Sequence, residues 1–85
     1  MAETKAIALT KSEVVRRLKR FREGLQMSRR AFGEVQAIRQ RDDVVAIFTD
    51  KHTMYIPSDL WRDLGTVGEE AVARHEPDIT VRTQA

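Results

Sequence analysis

Cysteine is absent from this chain, and that absence removes disulfides, thiolate nucleophiles and cysteine-built zinc sites together. Histidine occurs only at His52 and His75, and neither has a second His or Cys at ligand spacing beside it. Both read as solvated surface histidines. The four glycines, Gly24, Gly33, Gly65 and Gly68, stand singly, so there is no glycine-rich phosphate cradle. No serine has the context of a nucleophile elbow. The pair Asp42-Asp43 lacks a second carboxylate cluster and reads as a polar break between elements. The longest apolar run, Val44–Phe48, is far too short to span a bilayer. Together these gaps point away from an enzyme, a metal, a cofactor or a membrane. The chain is expected to act by binding.

Eighty-five residues allow one domain, 1–85, with residues 1–4 and 83–85 expected to fray. A core this small, with no staple, is marginal alone, so a homodimer or an obligate complex is expected. The Ala46–Phe48 strand or the Leu60–Leu64 helix is the expected contact. Met1 is not followed by a charged-then-apolar leader, which predicts a soluble protein of the reducing cytoplasm.

What is present reads as an α+β chain in the order (β)ααββααβ, with the first strand, Ala6–Leu9, the least marked. Thr10-Lys11-Ser12-Glu13 fits a capping box. After it, Val14, Leu18, Phe21 and Leu25 form one helical stripe, predicting a helix over Lys11–Glu23 that leaves at Gly24. Ser28 opens a second predicted helix, with Met27 and Phe32 placed as a hydrophobic staple. Ala31, Phe32, Val35 and Ile38 share one face of it, and it should end near Arg41 despite Gly33.

The texture then changes. Val44–Thr49 is rich in β-branched residues and apolar on both faces, so it predicts a covered strand. Asp50-Lys51-His52 turns the chain, and Thr53–Ile56 returns as a hairpin partner stopped by Pro57. Ser58 can cap a short helix that buries Leu60, Trp61 and Leu64 and ends at Gly65. Thr66–Glu69 offers another capping box for a helix that Pro77 must follow. Trp61 and Tyr55 read as packing residues. Ile79–Arg82 alternates with period two and predicts a last strand, a third beside the hairpin.

Charge is lopsided although the net is only +2. Up to Arg41 there are eleven Lys/Arg against four acids, +7; from Asp42 onward there are four against nine, −5. The basic half suits a polyanion or an acidic partner. Lys11, Arg16, Arg17, Lys19, Arg20 and Arg22 crowd the first helix, and Arg29 and Arg30 open the second; seven of these, all but Arg22, carry the functional reading. Arg16, Lys19 and Arg20 fall opposite the Val14 stripe, with Glu23 the one acid among them, so an exposed basic ridge is expected there. Arginine outnumbers lysine, and its planar fork suits phosphates and base edges. These seven residues are the candidate nucleic-acid contacts. The preferred partner is DNA. The alternative is an adaptor or inhibitor, phage-encoded for example, that lays its basic face on an acidic host protein.

Two stretches resemble known families. Leu18–Val35, with its Gly24-Leu25 and Ser28 entry and the Ala31-Phe32 pair, resembles the first two helices of a repressor-type helix-turn-helix. A turn and a recognition helix should follow, but Gln36–Arg41 runs on into a strand. From Ser28 to Gly65, the pattern of helix, charged break, Val44–Ile47, polar turn, strand ending Ile56-Pro57 and then Asp59–Leu64 resembles the Phd/YefM type of antitoxin. That resemblance implies a homodimeric transcription regulator whose basic N-terminal region binds operator DNA. It also implies a toxin as protein partner.

Overall fold

A computed structural model describes residues 10–83, so the expected strand Ala6–Leu9 lies outside the described residues. The first helix, α1, spans Lys11–Gly24. Thr10 sits at its N-cap in extended conformation, and its hydroxyl oxygen accepts the Glu13 N–H at 3.2 Å. The apolar stripe turns inward as expected: Phe21 is fully buried, while Val14, Leu18 and Leu25 pack against the core. The exit differs from expectation. Gly24 is still helical, and the left-handed residue is Gln26, at φ 58°. The Met27 N–H then reaches back to the Arg22 carbonyl at 3.1 Å and closes the end. Gly24 serves packing instead, because a β-carbon there would collide with the Val72 side chain.

The second predicted helix is the main correction. Ser28 caps as expected, accepting the Ala31 N–H at 3.0 Å, but α2 is only Arg29–Phe32. Gly33 follows at φ 89° and ends it. Val35–Gln40 then runs as a strand, β1. The misreading has a physical cause. A β-bulge between Val35 and Ala37 puts an extra residue into β1, so Val35 and Ile38 both turn inward although they are three apart. Spacing by three is also the helical period, and the bulged strand imitates it.

The strands β2 (Val44–Thr49) and β3 (His52–Pro57) form the expected hairpin. The last strand, β4, is Thr80–Thr83, so Thr83 belongs to the sheet rather than to a frayed end. The sheet is antiparallel throughout, in the order β1-β2-β3-β4. The final strand is thus the fourth, beside β3.

Two further helices follow, α3 (Ser58–Leu64) and α4 (Glu70–His75), with one 3₁₀ turn at Glu76–Asp78 before β4. Their caps differ from expectation. Pro57 holds the N-cap of α3 without a side-chain bond, and Ser58 is the first helical residue. The Thr66–Glu69 box does not form: α4 starts without a side-chain cap, and the Thr66 hydroxyl donates to the Asp63 carbonyl at 3.4 Å.

The helices cover one face of the sheet. On that face Val45, Ile47, Met54 and Ile56 meet Phe21, Leu60, Trp61, Leu64, Ala71 and Val72 in one buried cluster. Each large apolar side chain removed from water in this way contributes roughly 1.5–3 kcal/mol. Trp61 is core, as expected, with its indole N–H buried and unpartnered. Tyr55 instead stands half-buried on the other face, and the expected double cover of Val44–Thr49 is one-sided. Among the described residues, no helix is long and apolar enough to cross a membrane.

Candidate nucleic-acid interface

The cations of α1 divide according to what they touch. Arg17 lies 5.9 Å over the Trp61 ring and donates to the Trp61 carbonyl at 2.9 Å, with its side chain only 12% exposed. One turn on, Arg20 donates to the Leu64 carbonyl at 2.7 Å and is half-buried. These are two of the carbonyls that the C-terminal end of α3 leaves without intrahelical partners, and a cation is favourable there. Gly65 makes the approach possible, since a β-carbon on it would run into the Arg17 guanidinium. Arg17 and Arg20 therefore fasten α1 to α3. The expectation that Arg20 lies on a free ridge is corrected: a helical wheel treats α1 alone and omits the carbonyls that another helix brings to its flank.

Lys11, Arg16, Lys19, Arg29 and Arg30 are exposed. Arg16, itself exposed, pairs with the half-buried Glu13 at 2.8 Å, a surface contact worth little. Lys11 stands at the start of α1.

Two clefts border this surface, and their charge balance separates them. The first, about 510 Å³, lies between α1 and the α3–α4 connection; Arg16, Lys19, Arg20 and Glu23 of α1 line one side, and Glu69 and Glu70 the other. Three cations and three carboxylates leave its lining without net charge. The second, about 730 Å³, runs between α1, α2 and the β2–β3 turn. Its floor is Val15, Leu18, Phe32 and Val35, and its rim carries Lys19, Arg22, Arg29, Arg30 and Lys51 against Glu34 and Asp50. Five cations face two carboxylates. One acid and one cation of this rim are engaged: the Asp50 Oδ1 accepts the Glu34 N–H at 2.8 Å, and the half-buried Arg22 donates to the Met27 carbonyl at 3.3 Å. Positive potential concentrates in this groove.

Of the seven candidates, the groove gathers Lys19, Arg29 and Arg30. Lys11, Arg16, Arg17 and Arg20 lie outside it. Arg22 and Lys51 were not singled out as contacts. Arg22 continues the line Val15, Leu18, Arg22 at helical spacing, which marks it; Lys51, in a turn distant in sequence, carries no such mark.

The histidines are not the solvated pair expected. His52 is buried, with Nδ1 3.3 Å from the Phe32 carbonyl. His75 is half-buried and lies 3.2 Å from the Asp63 carboxylate. Each braces two elements: His52 ties β3 to α2, and His75 ties α4 to α3. Among the described residues, no group of three His, Cys, Asp or Glu side chains converges as a metal site would require. No protein-family model matches the chain, and neither a curated protein nor a solved structure matches it at a significant level.

Proposed function

We propose that this chain is a non-catalytic, cytoplasmic DNA-binding regulator that grips duplex DNA along the groove between α1 and α2. The observation that carries the reading is the groove's charge, five cations against two carboxylates. The exposed Lys19, Arg29, Arg30 and Lys51 supply phosphate contacts, which position a protein on the duplex and account for most non-specific affinity. A homodimer is the proposed binding unit, since a second copy doubles those contacts. The test is a mobility shift over a salt series with wild type and the triple variant Lys19→Gln, Arg29→Gln, Arg30→Gln. The variant should bind far more weakly, and each lost phosphate contact should flatten the log affinity–log salt slope by roughly 0.9. Unchanged affinity and slope would sink the reading.

The groove's apolar floor favours a second reading, docking of an acidic protein segment. Val15, 57% exposed, is the observation behind it. Val15→Ser separates the two: phosphate contacts survive it, whereas a protein partner loses its apolar seat. Loss of a co-purifying acidic partner, with no duplex binding by wild type, would favour docking.

A further inference from the structure

The sheet face turned away from the helices has its own chemistry. Opposed residues in an antiparallel ladder point to the same side, so the register defines two rungs across all four strands. One runs Arg39, Ala46, Tyr55, Thr80; the next runs Ala37, Phe48, Thr53, Arg82. Each rung has an aromatic ring on a central strand and an arginine on an edge strand, and the two rungs are reversed relative to one another. Phe48 and Tyr55 are both partly exposed, and Phe48 is neither in the core cluster nor packed against it. They occupy diagonal positions, at a separation of about 7–8 Å. Arg39 and Arg82 are exposed, and among the described residues neither forms an ion pair.

The four strands hold no Asp or Glu at any position. Acids near the sheet are confined to its connections, at Glu34, Asp42, Asp43, Asp50 and Asp78. A flat, carboxylate-free surface with two rings and two guanidinium groups matches a ligand that is itself planar rings joined by anions. We infer that this face is a platform for single-stranded nucleic acid: Phe48 and Tyr55 stack on successive bases, and Arg39 and Arg82 hold the backbone phosphates. Stacking is tolerant of sequence because every base has a π-face. A duplex keeps its bases stacked inside and offers these rings nothing, so the ligand differs from that of the groove. A second copy of this face is disfavoured as occupant: it brings two more arginines and no carboxylate to meet them.

The experiment is fluorescence anisotropy with end-labelled oligothymidine and oligouridine, each about twelve nucleotides long, and with a labelled duplex of the same length. Four proteins are compared: wild type, Phe48→Leu/Tyr55→Leu, Arg39→Gln/Arg82→Gln, and the groove triple variant. Emission of Trp61, buried away from this face, verifies folding throughout. Wild type should bind the single strands. Each ring removed should weaken that binding about tenfold. The arginine double variant, altered only at exposed positions, should weaken it and flatten its salt dependence. The groove variant should lose the duplex and keep the single strands, so the two surfaces fail separately. No single-strand binding by wild type at low salt would overturn the inference, as would full retention by the ring variant. So would a ring variant that turns a dimer into a monomer without changing oligonucleotide affinity.

Discussion

The Asp50 carboxylate stands where a β-carbon on Gly33 would have to be. Its Oδ1 accepts the Glu34 N–H at 2.8 Å, and the Asp50 N–H donates to the Glu34 carbonyl at 3.1 Å. The turn after β2 is thereby bolted to the entrance of β1. Gly33, at φ 89° and ψ −178°, holds a backbone conformation essentially closed to residues with a side chain. Gly33→Ala meets both obstacles and should cost about 2–3 kcal/mol. Urea unfolding should show a lower midpoint with an unchanged slope. Wild-type stability in this variant would contradict the positive φ.

Arg20 and Arg16 should separate in stability although both are arginines on one helix. Arg20→Ala removes the bond to the Leu64 carbonyl and one of the two guanidinium groups at the C-terminal end of α3, a loss of about 1–2 kcal/mol. Arg16→Gln touches only a surface pair with Glu13 and should stay within about 0.5 kcal/mol. Thermal melts of the two variants decide it. Equal melting temperatures would mean that the Arg20 contact contributes nothing.

One substitution should stabilise. Gln26 takes a left-handed conformation, φ 58°, at the end of α1, where glycine carries no steric penalty. Gln26→Gly relieves a left-handed penalty of about 1–2 kcal/mol, partly offset by about 0.4–1 kcal/mol of added unfolded-state entropy, so stability should rise by about 0.5–1 kcal/mol. The gain should appear as a higher urea midpoint, and a lower one would place the helix exit elsewhere.

Much of this architecture was legible from local pattern alone. α1 carries a helical stripe, β2 a run of β-branched residues and β4 a period of two, while Pro57 after β3 and Gly65 after α3 are stop signals. The failure at Val35–Gln40 has one source: an inserted residue turned a strand's period of two into an apparent three, and Gly33 was read as a weak helical residue instead of a stop. The candidate site was legible in kind and less so in membership. A count of charge finds the basic half of the chain. It does not find that Arg17 and Arg20 are spoken for by carbonyls of α3, because those partners lie across the fold. The outer sheet face escaped for the same reason: Arg39 and Arg82 meet on one surface only once β1 and β4 are known to flank the hairpin.

Those carbonyl contacts bear on the order in which the molecule assembles. Both bonds, Arg17 to Trp61 and Arg20 to Leu64, join residues 44 apart in sequence. A growing chain has emitted all of α1 and the β2–β3 hairpin before either acceptor exists, so the helix that begins the described fold waits for the chain's second half. Until then the buried face of α1 has no lid, Arg20 lacks its carbonyl, and Arg17 has only Glu13 of its own helix, 3.5 Å away. Loop closure on this scale slows folding relative to a chain of local contacts. It also couples the two ends, so that a protease cut between them should release the whole domain rather than one half.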